Sequence, residues 1–462
     1  MTFTSFTFVT KPAAVMAALA VAGCTVTPQP LTVTQLNAIA DDRAARAIGP
    51  GQEPVTQSID LYEAMARAIK YNLDHQVELK QEALKLSELR LSESDMLPDL
   101  VANAAYTDRD NTPGASSQSI LSGNQSLEPS RSTDRDVLNS DLTLSWDVLD
   151  FGLSYVRAKQ NADKVLIATE QRRSAINRII EDVRTAYWRA VIAQRLLGRL
   201  KTLEASAQRS LAQAERQAGD RSGAPRDAMI YQRDLLTVMR AAQELRRDLG
   251  VAKNQLAALM NLPQNQPFKL AVPASHNQKV PLVRTSSEEL AKMAFRNRPE
   301  LREITYRMRI NEQEKDIGLL EALPSLKAFI GVNTSSNDFL YNQDWVSYGA
   351  KASWNLMRLP TYPRRLKTNE AGQKLLDARA LALTQAIATQ VFVSKARVVS
   401  LRGEYATAQK LARVNTQIAR QTVSEAESGA LGPRDVVTEQ MNAILADLRR
   451  DVTYADLQNA YA

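Results

Sequence analysis

Ser145-Trp146-Asp147-Val148-Leu149-Asp150-Phe151-Gly152 opens a stretch that closes at Ser222-Gly223-Ala224-Pro225-Arg226-Asp227, with Pro225 79 residues after Trp146. Trp354 and Pro433 repeat that spacing of 79, and the second stretch closes at Ser428-Gly429-Ala430-Leu431-Gly432-Pro433-Arg434-Asp435. From Leu153 to Asp220 there is no proline, and glycine appears only at Gly198 and Gly219. Those positions read as one helix of roughly 100 Å, several times the width of a compact domain. Apolar residues recur at steps of three and four: Ile176, Ile179, Val183, Tyr187 and Ala190, then Leu200, Leu203, Ala207, Leu211 and Ala214. After the turn, Leu235, Val238, Ala242, Leu245, Leu249, Ala252, Leu256 and Leu259 alternate the two steps strictly, which is the seam of a left-handed coiled coil. Alternation of Leu with Ala lets helices pack closely side by side.

Upstream of the tryptophan the period changes from 3.6 to 2. Strands are expected at about 100–107 and 137–148. In the second, Leu138, Leu142, Leu144, Trp146 and Val148 fall on one face, and Asn139, Asp141, Thr143, Ser145 and Asp147 on the other. The Ser-, Asn- and Asp-rich segment between them reads as a long polar loop. A helical pattern over Ile59–Asp95 precedes these strands and ends at Leu97-Pro98, because proline breaks the ladder and restricts the residue before it.

The second half repeats this order. Glu288–Ala322 is helical in pattern, Leu323-Pro324 is the break, and strands follow at about 326–333 and 345–356. Val346, Tyr348, Ala350, Ala352, Trp354 and Leu356 alternate with Ser347, Gly349, Lys351, Ser353 and Asn355. Asn297-Arg298-Pro299 occupies the place of Asn72-Leu73-Asp74. The expected organisation is a signal peptide (1–23), a lipidated tether (24–58), a first repeat (59–262), a proline-rich linker (263–284) and a second repeat (285–462).

Cys24 is the only cysteine among 462 residues, which excludes an internal disulfide and a thiolate metal cluster. Lys11, the apolar run 12–22 and Val21-Ala22-Gly23-Cys24 have the form of a bacterial secretory signal, and the last four residues resemble a lipobox whose cysteine is acylated after cleavage. Eleven apolar residues are too few to span a bilayer as a helix. The mature chain is thus expected to be exported and held by lipid, with palmitate among the acyl groups. One chain supplies four candidate membrane strands, and lipid tolerates only closed barrels of eight or more. Several copies must therefore share one barrel if these strands enter a membrane.

These features together resemble the outer membrane efflux protein family, the TolC-like channels, in its lipoprotein form. The resemblance covers nearly all of the mature sequence. It rests on Leu97-Pro98 and Leu323-Pro324, on Leu144-Ser145-Trp146-Asp147 with Asp150-Phe151-Gly152, on the turn segments at Ser222 and Ser428, and above all on their duplicated order. It implies a mainly α fold with a small β part: a homotrimer in which a twelve-stranded barrel continues into a helical tunnel. It also implies an inner-membrane transporter and a periplasmic adaptor as partners. Leu142, Leu144, Trp146, Tyr348 and Trp354 are then candidates to face outer-membrane lipid. Gly223, Arg226, Asp227, Gly429, Arg434 and Asp435 are candidates for the periplasmic tip, where the aspartates form acidic rings and the arginines ion pairs; each Pro and Asp there also suits an ordinary helix start. Departures from the pattern are Arg358-Leu359-Pro360, which replaces Asp150-Phe151-Gly152 in the second half, and Pro363, close to the start of the second long helix.

Charged residues make up 24% and the formal net charge is +7, but acids and bases alternate along helix faces, which excludes a nucleic-acid track. The two histidines, His75 and His276, lack nucleophile or ligand partners, so neither an enzyme nor a cofactor is expected. Asp150-Phe151-Gly152 lacks the glycine-rich and catalytic loops of a kinase and reads as a strand-to-helix turn. The expected function is an exit duct of a tripartite efflux system. The alternatives are the outer-membrane component of type I protein secretion and, from a different class, a lipid-anchored periplasmic coiled-coil scaffold without a pore.

Overall fold

The structure is a computed structural model that describes residues 28–47, 51–126, 128–219, 225–263, 266–272 and 280–462. The chain divides into two units, Met1–Glu53 and Pro54–Ala462. Cys24 and the signal-like segment lie outside the described residues. The first unit contains the helix α1 (Val33–Ala47), within the segment read as a tether. Thr32-Val33-Thr34-Gln35 starts this helix as a capping box, in which the Thr32 hydroxyl accepts from the Gln35 amide at 3.3 Å and Gln35 Oε1 accepts from the Thr32 amide at 2.9 Å.

The second unit begins with α2 (Leu61–Tyr71) and α3 (Leu73–Ser94), where the sequence pattern had implied one helix. Asn72 divides them. Its side chain accepts the free amides of Asp74 and His75 and so starts a new helix, while its own backbone is extended. The second half is divided at the matching place, between α7 (Ser287–Asn297) and α8 (Pro299–Ala322). Here Pro299 holds Arg298 extended.

Four strands follow these helices in pairs: β1 (Asp99–Asp108) and β2 (Asp136–Asp147), then β3 (Ser325–Ser335) and β4 (Asp344–Ser353). They form one antiparallel sheet in the order β1-β2-β3-β4. Each is 10 to 12 residues long, the length that crosses a bilayer when tilted. β2 stops at Asp147, one residue before the expected end. Asp147 Oδ1 accepts the amides of Leu149 and Asp150, so Val148 is already the first residue of α4 (Val148–Gly219). β4 stops at Ser353, three residues early, because the Asn355 side chain accepts from the Met357 amide and caps a 3-10 turn over Leu356–Arg358.

α4 has 72 residues, about 108 Å, and α9 (Tyr362–Glu427) has 66, about 99 Å. α5 (Pro225–Gly250) and α6 (Ala252–Leu259) return along α4, and α10 (Pro433–Tyr461) returns along α9. α4 also packs against α3, α8 and α10, and α8 against α9. The coiled-coil seam read from the sequence crosses the break at Gly250: Leu235, Ala242, Leu249, Ala252 and Leu256 are buried, with Val238, Leu245 and Leu259 packed beside them. The deepest core lies midway along α4, where Val183, Leu196, Leu200 and Leu203 meet Leu256, Met260 and Leu457. Ile59 closes one side of this core through a parallel bridge to Leu270, in the segment expected to be a plain linker.

Candidate functional site

Paired residues on adjacent strands share a face, so the register assigns each side chain of the sheet. Leu100, Leu144, Ile330 and Tyr348 stand in one row across the four strands, and Ala102, Leu142, Val332 and Val346 in the next. Trp146, Ala328 and Ala350 continue the same face. Its large side chains are exposed, Tyr348 to 82%. The opposite face carries Asn103, Asp141, Asn333 and Trp345 in one row and Asp147, Lys327 and Lys351 in another. Asp141 accepts from Asn103 at 3.1 Å and from Thr143 at 2.9 Å, and Asn333 donates to Ser347 at 2.8 Å. Among the described residues β1 and β4 each pair on one side only, which leaves two free edges.

At the far end of the long helices the α9–α10 turn is built from local rules. Gly429 adopts a φ of +79°, which L side chains rarely accept. Gly432 caps α10, Pro433 takes the first helical position, and the Asp435 carboxylate accepts from the Gly432 amide at 3.3 Å. Arg434 reaches across to α5 and donates to Asp234 Oδ2 at 2.6 Å, while Arg233 holds the other oxygen at 3.0 Å. Tyr231 lies beside them. Burial pushes its phenol up and the Asp435 carboxylate adds to this, against the opposing effects of a hydrogen bond with Ser210 and the Arg434 charge. Arg226 is exposed at the start of α5. Gly223 and the Asp227 side chain lie outside the described residues. Among the described residues no three acidic, His or Cys side chains come together as a metal site, and no helix is long and apolar enough to cross a membrane.

No protein-family model and no curated protein matches the sequence significantly. Solved structures do match. The MtrE outer membrane channel of Neisseria gonorrhoeae, in its open state, has a TM-score of 0.65 at 16% identity, covering 95% of this chain and 98% of that one. The CmeC outer membrane channel of Campylobacter jejuni gives 0.64 at 13%, covering 95% and 92%. A membrane protein of Pseudomonas aeruginosa gives 0.64 at 17%, covering 87% and 88%. This chain has the outer-membrane channel fold. The resemblance read from the duplicated order of motifs is borne out at that level.

Within the channel fold, the register puts Leu142, Leu144, Trp146 and Tyr348 on the same exposed apolar face. Trp354 lies one residue beyond β4, and its indole N–H donates to the Ala322 carbonyl at 3.0 Å, so it anchors the end of α8. The turn brings Arg434 to Asp234, a partner that sequence reasoning missed, and leaves Asp435 on its own helix cap. A buried ionic cluster was also missed. Arg195 and Arg199 of α4 meet Asp451 and Asp447 of α10, and Arg450 pairs with both aspartates. Its signal was present as two four-residue steps of opposite charge on different helices. Beside it Trp188 meets Tyr187 and Tyr454 edge to face at 5.5 and 5.0 Å, and Tyr405 packs on Tyr454 at 5.4 Å.

Proposed function

We propose that this chain is one third of an outer-membrane exit duct, which passively conducts substrates delivered by an inner-membrane transporter through a periplasmic adaptor. The observation that carries the reading is the four-stranded sheet with one exposed apolar face and two free edges. Such a sheet cannot remain open in lipid, where unpaired backbone groups are costly. Three copies, β4 of each pairing with β1 of the next, close a barrel of twelve strands with the apolar face toward lipid. The repeated element order reflects a duplicated gene, each half supplying two strands and a long helical hairpin.

The helix surfaces support the same assembly. Leu73, Val77, Leu84 and Leu91 form an exposed stripe on α3, which leads into the free edge β1. Thr368, Ala371, Leu375, Ala378 and Ala382 form an exposed stripe of mostly small side chains on α9, which follows the free edge β4. The α9 stripe keeps steps of three and four and the α3 stripe steps of four and seven, both heptad spacings, so large knobs of one copy fit the shallow face of the next. The helices then continue the barrel as a periplasmic tunnel. Its tip is latched within each copy by Arg434 and Asp234, and Arg226 and Gly429 belong to the adaptor-facing turns; the sequence assigns Gly223 and Asp227 to the same role. Acylation of Cys24 adds a lipid anchor.

Single-channel conductance of the purified protein in a planar bilayer tests the duct. Discrete conductance that rises when Asp234 is replaced by Ala is expected. A protein that inserts but conducts neither as wild type nor as that variant overturns the reading.

A further inference from the structure

The lipid-directed face does not stop where the strands stop. Trp146, the last large side chain of β2 on the apolar face, meets Phe151 edge to face at 5.5 Å. Phe151 stacks on Tyr155 at 6.5 Å, and the Lys159 ammonium lies 4.6 Å from the centre of the Tyr155 ring. Phe151, Tyr155 and Lys159 are four residues apart on α4, so they occupy one side of its first three turns. The same turns bury Leu153 and Val156 against Ile317 and Leu320 of α8. The stripe therefore points away from that packing, with Phe151 39% and Tyr155 48% exposed and Lys159 exposed as well.

We infer that Phe151, Tyr155 and Lys159 form a binding site for the head group of a glycerophospholipid in the periplasmic leaflet. The inference rests on the duct reading, which places α4 just below the barrel. Continuity with the apolar sheet face sets the depth: the stripe starts beside the last lipid-facing residue and runs about 12 Å along the helix from Phe151 to Lys159. Aromatic rings with one polar edge favour the layer between acyl chains and water, and a lysine at the lower end can bend its ammonium back to the phosphates. The order along the stripe fits a phospholipid read from its chains outward: Trp146 and Phe151 against the upper acyl chain, Tyr155 at the glycerol ester level, and Lys159 on the phosphate. The Lys159 ammonium over the Tyr155 ring is held in place for this contact before any lipid arrives.

The test places a reporter in the stripe. Tyr155→Trp protein is reconstituted in vesicles of phosphatidylethanolamine and phosphatidylglycerol whose acyl chains carry bromine near the ester end, and its fluorescence is compared with that of wild-type protein. The emission added by the substitution is expected to be quenched by the brominated lipid and shielded from aqueous iodide. Quenching by iodide alone, in protein that floats with the vesicles, overturns the lipid site and leaves the duct intact. Protein that does not float with the vesicles overturns both. In a second arm, Lys159→Gln is expected to bind phosphatidylglycerol about fivefold more weakly by native mass spectrometry, at unchanged oligomeric mass. Equal retention by the variant overturns the role of the lysine.

Discussion

Replacing Asp451 by Asn tests how the α9–α10 hairpin is held to α4. The Asp451 side chain is 2% exposed. It accepts from Arg195 at 2.6 Å and from Arg450 at 2.9 Å, and Asp447 shares Arg450 at 2.7 Å while pairing with Arg199. Three guanidinium groups thus share two carboxylates. Asp451→Asn leaves three cations around one anion, with Arg195 and Arg450 already largely shielded from water. Removing one partner from such a buried pair costs about 3–5 kcal/mol, because the remaining charge has lost both its hydration and its counter-ion. Urea unfolding followed by circular dichroism at helical wavelengths measures the loss. A second change, Arg195→Met on the Asp451→Asn background, removes the surplus charge while keeping the side-chain volume, and it is expected to recover at least about 1 kcal/mol. A loss below about 1 kcal/mol, the level of an exposed pair, together with no recovery in the double variant, would refute the reasoning.

Three other outcomes follow from particular contacts. Burial, reinforced by the Asp60 carboxylate, pushes the Tyr187 phenol up to about 12, above the value of about 10 for an unfolded chain. Its contribution to stability is therefore complete below about pH 10 and is lost as the pH climbs toward 12; ultraviolet titration of wild type minus Tyr187→Phe should show a phenol ionising near 12 and not near 10. The partly exposed Arg434–Asp234 pair holds the tip with about 1 kcal/mol or less, so Asp234→Ala should shift a closed tip toward open by no more than about fivefold in bilayer recordings; an unchanged open probability counts against the latch. A Cβ at Gly349 would approach the Phe329 ring to 2.9 Å, so Gly349→Val should cost about 1–3 kcal/mol by overpacking, seen as reduced heat resistance of the assembly. Phe329→Ala in the same chain should relieve that cost, and a failure to do so places the strain elsewhere.

The long helices and the strands were legible because each is a periodic pattern sustained over many residues. Leu142, Leu144 and Trp146 alternate with polar neighbours, and that alternation is enough to assign a face. Breaks were harder to read. Asn72 interrupts a helix by offering its own side chain to the next two amides, and Thr32 with Gln35 starts one in a segment whose composition reads as a tether. Both effects depend on one or two side chains and leave the surrounding pattern unchanged. Pairings between distant helices were not legible. Arg434 meets Asp234 across 200 residues, and Arg195 meets Asp451 across 256, so only the superposition of the two hairpins brings these charges together. Asp435 illustrates the converse: its position after a proline pointed to a helix cap, and the capping contact to Gly432 is present.

The central claim is that one chain supplies an open sheet which only other copies can close. The most direct measurement is the oligomeric mass of the protein extracted in mild detergent, by native mass spectrometry on a freshly purified sample. The account predicts three chains per particle, with no stable species of one or two. A particle of one chain, stable and folded with its sheet edges unshared, would contradict it.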